Sequence, residues 1–328
     1  MFTLDELKDA ADIVHEVMPP TPQYAWPLLA RRTGCEVWVK HENHTPIGAF
    51  KIRGGLVFLD QLMKSGKKID GLITATRGNH GQSIALACDR YKIPATIYVP
   101  DGNSVEKNKA MEAFGANLVV HGVDFDEARE EAGRVALAQN LYPVPSFHSW
   151  LVRGVATYAL EFFSAVQDLD TVYAPIGMGS GICGLISARD LLGLRTKIVG
   201  VVAQNAPAYV MSYEAGEVRE TNSAATFADG MACRVPSGEA LEIICRGAER
   251  LVTVSEDEIA SAMRAYYSDT HNLAEGAGAA SLAALLNESA GMSGKKVGVI
   301  LSGGNVDATP FDTVLNGGTP QLPRVALE

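Results

Sequence analysis

The chain has 328 residues, 47% of them hydrophobic and 20% charged, with a formal net charge of -10 at pH 7. That balance suits a packed globular protein of two lobes, excludes disorder, and leaves no basic footprint for a nucleic-acid partner. No apolar stretch has the length of a bilayer span, and the acidic amino terminus MFTLDELKDA lacks the regions of a signal peptide, so a cytoplasmic protein without a membrane partner is expected.

Short apolar runs rich in β-branched residues recur at 36–40, 72–76, 95–100, 117–121, 171–176, 197–203 and 297–302. Between them lie amphipathic stretches, clearest at 81–91, 126–140 and 256–269. Strands alternating with helices predict βαβ units, and so an α/β fold with a parallel sheet covered on both faces. The stretch 316–324, NGGTPQLPR, reads as a surface terminus. Cys35, Cys88, Cys183, Cys233 and Cys245 are widely spaced and form no C-x-x-C pair, which predicts buried free thiols. His41 and His44, in KHENHTP, fall in an expected loop and not on a metal-binding helix.

Four segments carry chemistry. Lys51 stands in GAFKIRGG between two sets of glycines, which alone describes an ordinary loop lysine. The segment TATRGNHGQS (74–83) leaves a strand and opens a helix, so backbone N–H groups near Gly78, Asn79 and His80 are expected to face outward as an anion site. The amide of Asn79 suits either a phenolic oxygen or the role of helix cap. The glycine-rich APIGMGSGICG (174–184) also joins a strand to an apolar helix, where closely approaching backbone and helix dipole favour a phosphate. A dinucleotide fits this loop less well, because Asp190 falls inside the helical stretch and not at a strand end. Finally, LSGGNVD (301–307) ends an apolar strand with a hydroxyl and two glycines, at the end of a parallel strand where ligands bind.

Together, AFKIRG, GNHGQ, the glycine loop and LSGGNVD resemble, in order and spacing, the fold type II pyridoxal-phosphate enzymes, in the branch of the serine/threonine dehydratases and serine racemases. The resemblance spans nearly the whole chain. It implies a tryptophan synthase β-like α/β fold of two domains with parallel or mixed sheets: a large cofactor domain from residues 1–66 and 149–328, a small substrate-closing domain at 67–148, and pyridoxal 5'-phosphate between them. By the same resemblance Lys51 carries the cofactor as a Schiff base and later acts as base at the substrate α-carbon, with Phe50 beside the ring. Asn79 would meet the ring hydroxyl, and Gly177, Met178, Gly179, Ser180 and Gly181 would wrap the phosphate. Ser302 would meet the pyridine nitrogen, and Glu275 would lie near the cofactor. Thr76, Arg77, Gly78, Asn79, His80 and His148 are the expected substrate contacts.

The implied reaction is β-elimination and deamination of a small hydroxy amino acid to a 2-oxo acid and ammonia. A hydroxyl at the ring nitrogen does not hold that nitrogen protonated, which favours prompt loss of a β-substituent over transamination. Arg77 stands where racemases of this family have a second acid–base serine, and a guanidinium that stays protonated cannot replace it, so a racemase is disfavoured. Arg77 either grips a distal carboxylate, as a 3-hydroxyaspartate-type dehydratase would need, or turns outward to an acidic neighbour. Val202 and Ala208 occupy the positions of acidic ligands in metal-activated relatives, so no metal is expected. The remaining alternatives are a β-replacing synthase, a nicotinamide-dependent oxidoreductase and a non-catalytic binding protein. The resemblance further implies a homodimer, and the short chain beyond Ser302 suggests catabolic use.

Overall fold

The computed structural model describes residues 1–322, and the end of the 316–324 stretch lies outside the described residues. In chain order its strands are β1 (Gln23–Ala25), β2 (Glu36–His41), β3 (Leu72–Ala75), β4 (Ala95–Val99), β5 (Asn117–Val120), β6 (Tyr142–Pro143), β7 (Thr171–Pro175), β8 (Lys197–Ala203), β9 (Arg250–Val254) and β10 (Lys296–Leu301). They form two sheets, one of six strands in the order β1-β2-β10-β7-β8-β9 and one of four in the order β5-β4-β3-β6. Every pairing is parallel except β1 with β2. The fold is therefore α/β, as expected, with the smaller sheet drawn from a continuous stretch of chain that the larger sheet encloses in sequence.

All seven expected strands are present, and the three amphipathic stretches are the helices Asn79–Tyr91, Phe125–Gln139 and Glu256–Thr270. The additional helix Ser149–Ala165 has no clear polar stripe because it is buried along most of its length, from Leu151 to Phe163. A helix enclosed on all sides loses the periodicity by which it is read. Among the described residues no helix is long and apolar enough to cross a membrane.

The Ser149–Ala165 helix crosses the helix Lys51–Lys64 at glycines. A Cβ on Gly154 would come within 2.3 Å of the Arg53 carbonyl oxygen, and one on Gly54 within 3.0 Å of the Leu151 carbonyl oxygen. That close approach brings Glu161 to Arg53, whose Nη1 and Nη2 donate to its two carboxylate oxygens at 2.7 and 2.9 Å. Arg53 also donates to Glu42, from Nε at 2.7 Å and Nη2 at 3.0 Å. Lys40 completes the cluster by donating to Glu161 at 2.7 Å. Lys40, Glu42 and Arg53 are fully buried, so their charges must be matched within the protein.

Removing one partner leaves the others uncompensated. Arg53→Met should lower the free energy of unfolding by about 3–5 kcal/mol, read from urea denaturation. Burial alone would raise the Glu161 carboxyl, but the charges and hydrogen bonds of Arg53 and Lys40 outweigh it and hold it at about 2, below an ordinary value of 4.5. A depressed carboxyl stabilises the folded state above its unfolded value and ceases to as pH falls through the folded one. Wild-type stability should therefore decline between about pH 4.5 and pH 2, and Glu161→Gln should remove that share of the decline in acid titrations.

Candidate active site

A cavity is lined by residues at the carboxyl ends of β3 in the smaller sheet and of β7 and β10 in the larger one. Parallel strands leave ligand-binding loops at that end. Thr76 to His80 follow β3, Gly177 to Gly181 follow β7, and Ser302 follows β10, while Phe50 and Lys51 enter at the start of the Lys51–Lys64 helix. Local bonds fix that start: the Phe50 N–H donates to the Ser302 carbonyl at 3.0 Å, and Ser83 Oγ donates to the Lys51 carbonyl at 2.6 Å.

Lys51 Nζ donates to Ser180 Oγ at 3.2 Å and lies 5.0 Å from the centre of the Phe50 ring. Burial pushes its ammonium down to about 8, against the opposing pull of Glu275. An amine so placed loses its proton readily and becomes nucleophilic. Beside it the helix Ser180–Leu191 begins at Gly179, which has φ +95° and offers no side-chain cap. A Cβ on Gly177 would meet the Gly230 carbonyl oxygen at 2.0 Å, so the loop is too tight for a side chain there. The first-turn N–H groups are thus uncapped and backed by the helix dipole, which makes an anion cradle.

The loop after β3 differs from its expected form. Thr76 Oγ accepts from the N–H of Gly78 at 3.0 Å and of Gly81 at 3.3 Å, so the Gly78 donor is turned inward and does not serve the outward anion site. The hydroxyl of Thr76 caps the loop from within. No side chain caps the Asn79–Tyr91 helix at its Gly78 boundary, leaving the N–H groups of Asn79 and His80 at its start. The Asn79 side chain reaches residues distant in the chain: its Nδ2 donates to Glu275 Oε1 at 2.7 Å, and its Oδ1 accepts from Asn305 at 2.8 Å. Burial first, and the Lys51 charge second, push the His80 imidazole down to about 3, so it is neutral. His80 Nε2 and Arg77 Nε are buried without a hydrogen-bond partner, and among the described residues no carboxylate pairs with Arg77.

His148, expected at the substrate, is not among the residues lining the cavity. Its Nδ1 accepts the Trp150 N–H at 3.1 Å, and its ring packs edge-on against Phe58 and Trp150 at 5.3 and 4.9 Å, so it caps a helix and fills an apolar junction. From the same segment Ser146 lines the cavity instead. Sequence reasoning also missed Lys107 and Asp229. Lys107 Nζ donates to Asp229 Oδ2 at 2.6 Å and to Glu275 Oε2 at 3.3 Å. Burial opposes the Lys107 charge, but the two carboxylates prevail and hold it as an ammonium. No local pattern signals this trio, because its members are far apart in the chain.

The chain matches the family model "Pyridoxal-phosphate dependent enzyme" over residues 15–303. It is 33% identical over 325 residues to the L-threonine ammonia-lyase of Thermotoga maritima, covering 99% of this chain and 80% of that one. It is 30% identical to the L-threo-3-hydroxyaspartate ammonia-lyase of Saccharomyces cerevisiae, covering 96% of this chain and 97% of that one. Among solved structures, the processed form of threonine deaminase isoform 2 from Solanum lycopersicum superimposes with a TM-score of 0.86 at 27% identity, over 96% of this chain and 94% of the other.

Proposed function

The chain belongs to the pyridoxal-phosphate dependent enzyme family, and on that premise we propose that it eliminates the β-hydroxyl of a small hydroxy amino acid, giving a 2-oxo acid and ammonia. The observation that carries the reading is the position of the Lys51 amine, 3.2 Å from Ser180 at the mouth of the glycine cradle. The residues present fit the cofactor. Gly177 to Gly181 offer uncapped N–H groups for its phosphate, Lys51 an amine to carry it, Phe50 a neighbouring ring, and Ser302 a hydroxyl for its pyridine nitrogen. When bound, pyridoxal phosphate supplies an electron sink that acidifies the α-hydrogen of an attached amino acid.

The protein's own groups do the rest. Lys51, with its ammonium lowered to about 8, takes the α-proton near neutral pH. The N–H groups of Asn79 and His80, at a helix start, orient the substrate carboxylate, while neutral His80 avoids competing for it. Asn79, held by Glu275 and Asn305, keeps one amide hydrogen for the ring hydroxyl. The lobes on either side exclude water until the β-hydroxyl has left. The released enamine then hydrolyses in solution. The reading includes a cytoplasmic homodimer acting in amino-acid breakdown.

Arg77 supports a narrower version, in which the preferred substrate carries a second carboxylate. Its Nε is buried in the cavity wall without an acceptor, and a guanidinium pairs with a carboxylate through two parallel bonds. The similarity to an L-threo-3-hydroxyaspartate ammonia-lyase is consistent with that choice.

The test is a screen of serine, threonine and 3-hydroxyaspartate in both stereochemical series, scored by 2-oxo acid and ammonia. The wild type should be active on at least one. Lys51→Ala should lose turnover altogether, and Gly177→Ala should weaken the binding of pyridoxal phosphate measured by calorimetry. No 2-oxo acid from any of these compounds, with cofactor bound, would refute the elimination. Arg77→Ala should reduce kcat/KM for 3-hydroxyaspartate roughly tenfold to a hundredfold more than for threonine, the loss of charge-assisted bonds. An equal loss on both substrates excludes a distal-carboxylate role.

A further inference from the structure

Glu275 is a buried carboxylate whose polar side-chain partners come from the opposite lobe. Its Oε1 accepts from Asn79 at 2.7 Å and its Oε2 from Lys107 at 3.3 Å. Its backbone is fixed in the larger lobe, where its N–H donates to the Gly303 carbonyl at 3.1 Å. Gly303 has no room for a Cβ, which would lie 2.5 Å from Glu275 Oε1. The carboxylate is therefore wedged in place while its hydrogen-bond donors arrive from across the cavity. Lys107 belongs to the helix Val105–Ala113, and its stem packs on Gly78, where an added Cβ would stand 2.3 Å from Lys107 Cδ. Lys107 thus touches both the loop that holds Asn79 and the acceptor that Asn79 uses.

We propose that Lys107 is a positioning residue that reaches from the smaller lobe to hold Glu275 as the anionic acceptor of the Asn79 amide, so that Asn79 is oriented only when the lobes are together. The proposal rests on the reading of the cavity as the pyridoxal-phosphate site. The simpler role is a structural latch, in which the Lys107–Asp229 pair at 2.6 Å ties the lobes and Glu275 is a bystander. The two roles predict opposite behaviour. Around Glu275 the charged and titratable groups are Lys107 from the Val105–Ala113 helix, Asp229 from the turn Asp229–Met231, Lys51 from the Lys51–Lys64 helix, Arg77 from the loop after β3 and His80 from the first turn of the Asn79–Tyr91 helix. Burial raises the Glu275 carboxyl, the Lys107 charge lowers it, and Asp229 raises it again. Deleting Lys107 and deleting Asp229 therefore push Glu275 in opposite directions, although either deletion breaks the same ion pair.

The experiment follows the absorbance of bound pyridoxal phosphate, and separately kcat/KM, against pH in the holoenzyme. With Lys107→Met the acidic limb of both profiles should move to higher pH by about one to three units, the effect of losing an adjacent opposite charge. Asp229→Asn should move it to lower pH, and Lys107→Arg should keep it near the wild-type position. In Glu275→Gln the limb should vanish, and adding Lys107→Met should not bring it back. Lys107→Gln carries the same comparison if the methionine variant fails to fold. Shifts of the same sign for Lys107→Met and Asp229→Asn, or no shift for the former, overturn the proposal while leaving the elimination reading intact. If the wild type binds no pyridoxal phosphate, both readings fall together.

Discussion

The placement of Lys51 depends on the ion cluster beneath it. Two residues further along the same helix, every nitrogen of the Arg53 side chain has an acceptor, among Glu42, Glu161, Thr157 and Thr21. A planar guanidinium held on all sides cannot turn, so the first helical turn is fixed about its axis and Lys51 faces the cavity. The glycines at 54, 55 and 154 allow the close packing that makes this possible. On Gly55 a Cβ would stand 2.2 Å from Ser83 Oγ, the hydroxyl that bonds the Lys51 carbonyl. Burying these charges is tolerable because two cations, Lys40 and Arg53, meet two carboxylates, Glu42 and Glu161.

The cavity follows a different electrostatic rule. Its lining sets Lys51, Arg77 and Lys107 against Asp229 and Glu275, and the amino termini of the Asn79–Tyr91 and Ser180–Leu191 helices add partial positive charge. The chain as a whole carries -10, so this positive field is local to the cleft of an acidic protein. The lining cations and helix termini thus favour anions in the cleft, where phosphate and carboxylate are needed. Neutral His80 contributes shape and hydrogen bonding there without adding to the field.

Much of this was legible in the sequence because the relevant signals are local. Each glycine-rich loop follows a β-branched run, and that pattern alone locates the ends of β3, β7 and β10. What was not legible depends on contacts between distant segments. The Ser149–Ala165 helix hides its period by being buried on most sides. β9 gives a weak sequence signal because it is only partly buried, with a short, mixed sequence, RLVTV, at the edge of its sheet. Gly78 was expected to point its N–H outward, but that inference ignored the hydroxyl two residues earlier, which competes for the same donor. His148 shows the reverse error: an imidazole near a domain junction suggested substrate, whereas a helix start and two aromatic neighbours already account for it. Lys107 lies in the polar helix Val105–Ala113, which has almost no apolar face, and only the fold brings it to residues 229 and 275.

The segments that carry the two sheets meet through contacts of two depths. At the rim the helices Val105–Ala113 and Ala308–Leu315 bring their amino termini together, an arrangement in which like dipole ends repel. Each supplies an acceptor to the other: Asp307 accepts from the Ser104 hydroxyl and the Val105 N–H, and Glu106 accepts from the Ala308 N–H. Such terminal bonds contribute about 1 kcal/mol each, enough to align two surfaces and too little to lock them. Deeper in, Asn79 and Lys107 converge on the one carboxylate of Glu275. Glu275 is buried, so its two bonds meet little competition from water and are strengthened by the low local dielectric. The rim bonds at 3.0 and 3.2 Å and the interior bonds at 2.7 and 3.3 Å tolerate similar displacements, so burial and not reach sets the interior contact apart.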